Sequence, residues 1–465
     1  MGKTYNSKYI FGITLIATLG GLLFGYDTAV ISGAEQPIED YLIIPLHFGK
    51  FAHGATISSA LIGCIIGGAI SGFLSNRFGR KKSLLIAAFL FFTSALGSAF
   101  PEFLLFEKGN PSVGLLAMFN VYRIWGGIGV GLASAVTPTY IGEIAPAEIR
   151  GRLVSCNQFA IIFGMLVVYF VNWGIANGQT IEWINDIGWR YMFLSEAIPA
   201  GLFFILLFFV PETPRYLALI NNEQKALSIL EKINTSKERA KSILDEISST
   251  IGEKAKSRVF SYGKKVIIIG ILLSVFQQFV GINVALYYAP RIFEGMGVAR
   301  DASMFQTIVM GLVNVIFTVV AIMTVDKWGR KPLLITGSIG MAVGMIAISA
   351  LSYFHIMETM PLLMLVFIII FTASFMMSWG PICWVYISEL FPNKIRGQAV
   401  AVAVAAQWAA NYFISSTYHG MMEFSSVFTY GFYGVMAVIS ALFVWKMVPE
   451  TKGKSLEEIE KVWKK

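Results

Sequence analysis

The chain has 465 residues, 56% of them hydrophobic and 14% charged, with a mean hydropathy of +0.67. Soluble domains carry about 25% charged residues, so this composition excludes an ordinary soluble enzyme, a disordered regulator and a nucleic-acid-binding domain, and points to a membrane protein of many spans. The net charge of +8 invites a nucleic-acid reading, which the placement of the cations removes.

A spanning helix needs about 20 mostly apolar residues. Twelve such runs follow one another, at about 10–33, 54–75, 83–100, 114–136, 152–175, 190–210, 265–289, 303–325, 332–354, 361–387, 396–418 and 428–448. Backbone groups in lipid must be satisfied internally, so the runs are helices; the ten-residue alternation of a membrane barrel does not occur. The first run is too long for the apolar part of a cleaved signal.

In chain order, helix one carries Asp27 near its far end. Helix two stops at Asn76-Arg-Phe-Gly-Arg-Lys-Lys82. Helix four carries Arg123 and is followed by Glu143 and Arg150-Gly151. Helix six carries Glu196 and closes at Pro211-Glu-Thr213. A polar stretch over 211–262 follows, with helical periodicity at Glu223–Ile233 and Ser236–Ile251, which predicts short amphipathic cytoplasmic helices. Helix seven reads Gln277, Gln278, Asn283, Tyr287, Tyr288. Helix eight offers Asn314 and stops at Asp326-Lys-Trp-Gly-Arg-Lys331. Helix ten offers Trp379-Gly-Pro-Ile-Cys-Trp384 and is followed by Glu389 and Arg396-Gly397. Helix eleven offers Gln407, Trp408 and Asn411, and helix twelve closes at Pro449-Glu-Thr451. Gly380, Pro381 and Pro392 are expected to loosen helix ten.

Three motif pairs recur in matching order: Gly79 and Gly329 are 250 residues apart, Glu143 and Glu389 are 246 apart, and Glu212 and Glu450 are 238 apart. They imply two six-helix halves with the substrate between them at the midplane. The expected fold class is an all-α membrane protein with twelve transmembrane helices, divided at 1–210, a 211–262 cytoplasmic linker, 263–449, and a 450–465 tail. With both termini inside, the cytoplasmic segments hold 30 of the 36 Lys and Arg and the external ones hold five, with Arg123 left in the membrane. That asymmetry is the positive-inside rule, so the excess charge reads as topology. The same cations can touch anionic membrane lipid.

Arg80, Glu143, Arg150, Glu212, Arg330, Glu389, Arg396 and Glu450 all fall on the cytoplasmic side. They are expected to form ion pairs between helices that are made when that side is closed and broken when it opens. The alternative is that the arginines only set topology.

Ionisable groups inside a span are functional candidates by default. At 1.5 Å per residue, Asp27, Arg123 and Glu196 fall within a slab of about 5 Å in depth and can meet. A carboxyl beside a guanidinium stays ionised and takes up a proton when that partner leaves. Asp27 is thus read as a proton carrier, tuned by Arg123, with Glu196 holding Arg123 when Asp27 is protonated. A static buried pair is the alternative, although such pairs stabilise poorly compared with apolar packing. The second half has neutral amides and aromatics instead. Amides give donors and acceptors for hydroxyls, and Trp and Tyr faces suit the apolar face of a pyranose. This set points to a sugar and away from an anionic substrate; amides acting as interhelical glue are the alternative.

No cofactor and no metal are expected. His47, His53, His355 and His419 fall in or near expected loops without ligand spacing, and Cys64, Cys156 and Cys383 form no C-x-x-C pair. The Gly-rich runs at 63–72 and 126–131 match small-residue helix packing. No nucleophile–base pair is apparent, so an enzyme is not expected.

Gly20-Gly-Leu-Leu-Phe-Gly-Tyr-Asp27, the paired loops Arg77-Phe-Gly-Arg-Lys81 and Lys327-Trp-Gly-Arg-Lys331, Pro211-Glu-Thr-Pro-Arg215, Gln277-Gln-x-x-Gly-x-Asn283 and Pro449-Glu-Thr-Lys-Gly453 together resemble the sugar porter family of the major facilitator superfamily, over nearly the whole chain. The resemblance implies proton-coupled import of a monosaccharide, D-xylose foremost, by a monomer in the cell membrane, the inner one if the cell is bacterial. Hexose or arabinose symport and uncoupled uniport stay open. It implies a sugar site at Gln277, Gln278, Asn283, Tyr288, Asn314, Trp384, Gln407 and Trp408, and proton coupling at Asp27 with Arg123 and Glu196. This chain departs from the family at Met165, where a sugar-binding glutamine is usual, and at Asn76, where the second half keeps Asp326.

Overall fold

A computed structural model of the chain describes residues 5–103, 105–107, 109–146, 148–251, 263–295, 297–356, 359–391 and 395–452. Twelve segments among them are long and apolar enough to cross a membrane: Ser7–Ile43, Lys50–Phe78, Arg80–Ala99, Val113–Ile144, Arg150–Ala176, Ile181–Phe209, Lys264–Tyr287, Arg300–Val325, Arg330–Tyr353, Pro361–Ile387, Gln398–Phe424 and Ser426–Met447. They are numbered here spans 1 to 12, and each matches an expected run. The protein is a multi-pass all-α membrane protein, and its described residues contain no β-sheet.

Span 1 outruns the apolar segment by about ten residues because Glu35 and Glu39 are buried in protein there and have cationic partners. Between spans 6 and 7 lie α-helices at Pro214–Leu219, Glu223–Ile233 and Lys237–Ile251. The first two are started by Thr213 and Asn222, whose side chains accept the backbone N–H groups of Tyr216 and Lys225. Both periodic stretches of the linker are therefore helices; residues 252–262 lie outside the described ones.

Span 2 packs on span 4, 1 on 5, 3 on 4, 9 on 10 and 12, and 7 on 11; span 2 also meets 11, and span 5 meets 8. The small-residue runs explain the first contact. Gly67 of span 2 lies so near the backbone of Ile128 in span 4 that a Cβ would collide with it.

Two spans are interrupted, and both interruptions position the site. Span 7 ends one helix at Phe279 and restarts at Ile282. Gly281 between them has φ +87, the left-handed region, and a Cβ there would lie 2.7 Å from the Tyr433 ring. Span 10 breaks at Ser378 (φ −133, ψ −87), between helices Pro361–Met377 and Trp379–Leu390. Gly380 and Pro381 therefore sit in the first turn after the break, where a missing N–H costs no helical bond. Pro392 lies outside the described residues.

Candidate functional site

Three ionisable side chains from spans 1, 4 and 6 converge in the interior. Asp27, Arg123 and Glu196 are each at most 1% exposed. Arg123 Nη1 donates to Asp27 Oδ1 at 2.7 Å and Nη2 donates to the Asp27 carbonyl at 3.2 Å. The guanidinium also lies over the Phe193 ring, 5.1 Å from its centroid. Glu196 faces the Asp27 carboxyl. Asp27 Oδ2 and both Glu196 oxygens have no donor from the protein. Glu196, three residues before Pro199, sits where span 6 loosens: its N–H reaches back to Phe193. Two carboxyls and one guanidinium out of water balance in charge only when one carboxyl carries a proton.

A cavity of about 80 Å³ lies beside this trio. Gln277, Gln278 and Asn283 of span 7, Trp384 of span 10, and Gln407 and Trp408 of span 11 line it. The interruptions of spans 7 and 10 turn these polar side chains toward one another. Gln407 Nε2 donates to Gln277 Oε1 at 2.5 Å, Gln277 Nε2 to the Trp379 carbonyl at 2.8 Å, and Asn283 Nδ2 to Gln278 Oε1 at 2.5 Å. Gln407 Oε1 and Trp408 Nε1 are buried without a partner. A buried acceptor and a buried donor left open beside a cavity are what a hydroxylated ligand satisfies.

Two expected residues stand apart from this cavity. Tyr288 donates its hydroxyl to the Ser415 carbonyl at 3.1 Å and stacks on Tyr418 at 4.8 Å. Asn314 is buried with Oδ1 unpartnered. Thr28, Gln158, Tyr287 and Asn411 line the cavity too, and so does Met165. Gln158 was legible as one of the few amides, with Asn157 and Asn172, in an apolar span. Asn411 lies one turn beyond Gln407, a spacing that shares a helix face. A larger cavity, about 600 Å³, shares Phe24, Gln158, Ile161 and Trp384 with the small one. It runs past Gly72, Ser155, Ile387 and Val400 toward the end of the bundle that carries Gly79 and Gly329.

At that end the motif residues pair in two matching sets. Arg80 Nη2 donates to Glu143 at 2.8 Å, and Thr213 donates to the other Glu143 oxygen at 2.6 Å. Glu212 accepts the Arg80 and Lys81 backbone N–H groups at 3.1 and 3.2 Å. Arg330, Glu389, Thr451 and Glu450 repeat the pattern at 3.0, 2.7 and 3.1 Å. Gly79 and Gly329, at φ +95 and +94, let the backbone approach these glutamates. The pairs join spans within 1–6 or within 7–12, and the large cavity lies between the two groups. Burial pushes the Glu212 carboxyl above the usual range against the pull of the Thr213, Lys81 and Arg80 N–H groups. Burial also penalises Glu450, but the N–H groups of Lys452, Lys331, Arg330 and Thr451 hold it below that range. Arg150 is exposed, and the Arg396 side chain lies outside the described residues.

Residues 13–463 match the profile of the family described as "Sugar (and other) transporter". The chain belongs to the sugar transporter family. It is 53% identical to the D-xylose-proton symporter of Escherichia coli K12 over 485 aligned positions, covering 100% of this chain and 97% of the relative. It is 42% identical to the arabinose-proton symporter of Bacillus subtilis, covering 99% and 96%. The inward open conformation of the xylose transporter XylE from E. coli matches it with a TM-score of 0.88 at 51% identity, over 98% of this chain and 100% of that one.

The histidines of this sugar transporter differ from the sequence expectation. His53 and His419 lie within spans 2 and 11 and are buried, whereas His47 and His355 occupy turns with φ +56 and +55. The two buried rings stack at 4.4 Å beside Glu35. Isolated polar residues near span ends read as loop residues in sequence, and only the packing of spans 1, 2 and 11 brings these together.

Proposed function

We propose that this transporter imports D-xylose together with a proton by alternating access. The observation that carries the proposal is the juxtaposition of two elements. A dry Asp27–Arg123–Glu196 trio has one proton's worth of unbalanced charge, and it lies next to a cavity of neutral amides and indoles with an open donor and an open acceptor. The named symport activity of the 53% identical relative supports the same reading. Residues 1–210 and 263–449 act as the two moving halves, joined by the 211–262 linker, with 450–465 as a tail. The end bearing Gly79 and Gly329 is cytoplasmic, as are both termini, in keeping with the cation asymmetry. The protein works as a monomer among membrane lipids, binds no nucleic acid and catalyses no covalent step.

The sugar is held by Gln277, Gln278, Asn283, Trp384, Gln407 and Trp408, with Tyr288 and Asn314 supporting the surrounding helices. Asp27 carries the proton. In the arrangement described it is paired with Arg123; releasing its proton into the cavity that runs toward the cytoplasmic end leaves the trio one negative charge in excess, which draws the next proton once the carboxyl faces outward. In the opposite state Arg123 turns to Glu196 and Asp27 is protonated. The Arg80–Glu143 and Arg330–Glu389 clamps, with Glu212 and Glu450, keep each half rigid as it rocks. Arabinose is the second reading, because Met165 removes a hydroxyl partner and an arabinose-proton symporter is 42% identical.

Xylose added to weakly buffered cells expressing the chain should raise external pH as sugar and protons enter. Sugar entry without alkalinisation would reject symport. A larger alkalinisation with arabinose, glucose or galactose than with xylose would reject the sugar assignment.

A further inference from the structure

We propose that Glu35, His53 and His419 form a zinc site whose occupation fastens the external end of the transporter shut. The inference goes beyond sugar and proton transport. Glu35 comes from span 1, His53 from span 2 and His419 from span 11, so the three belong to opposite halves. All three are buried, at 2%, 0% and 5% exposure.

Both histidines bring Nε2 to one Glu35 oxygen, and His53 Nε2 also lies 3.3 Å from the Glu35 carbonyl. His53 Nε2 lies 3.2 Å from Glu35 Oε1, and His419 Nε2 lies 3.1 Å from the same oxygen. Zinc bonds to His N and carboxylate O are about 2.0–2.2 Å, and the edges of a tetrahedron built on such bonds are about 3.3–3.6 Å. His419 Nε2 is buried and has no hydrogen-bond partner, although the Glu35 oxygen is close enough for one. The other ring nitrogen of His53, Nδ1, is 3.7 Å from Glu39 Oε1. A small ring shift makes that the carboxylate contact that orients metal-bound histidines. Three protein ligands leave a fourth position for water. A cavity of about 480 Å³, lined by Lys50, Arg291, Glu294, Tyr418, His419 and Glu423, lies beside His419.

One cation competes. Arg291 Nη1 donates to Glu35 Oε1 at 2.8 Å and to Glu39 Oε2 at 2.5 Å. Zinc would take Glu35 and leave Arg291 on Glu39, which Lys50 also contacts at 2.5 Å. When the halves part at the external end, His419 leaves Glu35 and His53 and the site is lost. Zinc therefore stabilises the externally closed state and inhibits transport.

The test uses the full chain purified in detergent. Co²⁺ titration should produce the visible bands of tetrahedral cobalt at one ion per chain, and Zn²⁺ should displace them. His53→Asn and His419→Asn should each weaken zinc binding more than tenfold, because loss of even an outer-shell partner costs about 10–100-fold. Arg291→Gln, by removing the competitor, should tighten it. In proteoliposomes, external Zn²⁺ should inhibit xylose uptake by the wild type but not by His419→Asn. If that variant does not transport, the cobalt spectrum and binding isotherm decide alone. Absence of saturable binding, or binding by His419→Asn equal to wild type, would overturn the site. Binding that leaves xylose uptake unaffected would overturn the fastening role.

Discussion

Asp27→Asn separates binding from coupling. In the structure Arg123 spends its strongest contact on Asp27, at 2.7 Å, and Glu196 faces the same carboxyl without a donor of its own. Removing one partner of a buried pair usually costs about 3–5 kcal/mol. Here Glu196 can take the guanidinium, so the variant should fold, while Asp27→Asn with Glu196→Gln strands Arg123 and should lower the thermal midpoint much further than either change alone. For coupling, one proton crossing 100 mV supplies about 2.3 kcal/mol, which at 1.4 kcal/mol per tenfold sustains about a 50-fold sugar gradient. Asparagine cannot carry the proton, so the gradient should collapse to equal concentrations inside and out, while sugar counterflow between equilibrated compartments continues. The assay is radiolabelled xylose uptake into energised vesicles, run beside counterflow in the same preparation. Accumulation by Asp27→Asn at the wild-type level would refute the carrier role.

Further expectations follow from particular contacts. Gln407→Ala removes both the open acceptor and the bond to Gln277, so xylose binding measured by calorimetry should weaken by about 1–3 kcal/mol; an unchanged Kd takes Gln407 out of the site. Met165→Gln places an amide on the cavity wall and should tighten xylose binding by about 0.5–1.5 kcal/mol; weaker binding would show that Met165 serves as packing. Gly281→Ala meets both a left-handed φ and the Tyr433 ring, so it should destabilise by more than about 1 kcal/mol, visible as a lower thermal midpoint. Burial would raise the Glu102 carboxyl, but its Arg190 hydrogen bonds hold it below the ordinary 4.5. The stability from that pair is therefore present above pH 4.5 and is lost as pH falls through the lowered value. An acid-side drop in thermal midpoint should appear in the wild type and shrink in Glu102→Gln.

The twelve spans and the linker helices were legible because a long apolar run in lipid has one backbone solution. The Asp27, Arg123 and Glu196 set was legible because helix rise converts sequence position into depth. Six of the eight sugar-site candidates line the cavity, since amides are rare in spans and stand out. Tyr288 and Asn314 do not line it, because depth alone leaves the rotation of each helix undetermined, and span 7 changes direction at Gly281. The Arg80–Glu143 and Arg330–Glu389 pairs were legible because each motif sets a Glu at one helix end and an Arg at the start of another. The Glu35–His53–His419 cluster was invisible, because its members are far apart in sequence and each reads singly as a polar residue near a span end.

The central claim is that downhill proton movement drives sugar uphill through this chain. Purified protein in liposomes, given an inward proton gradient and equal xylose on both sides, measures it directly. The account predicts that xylose accumulates inside and that a protonophore releases it. Xylose that stays at equal concentration with the gradient intact, in liposomes that still exchange the sugar, would contradict it.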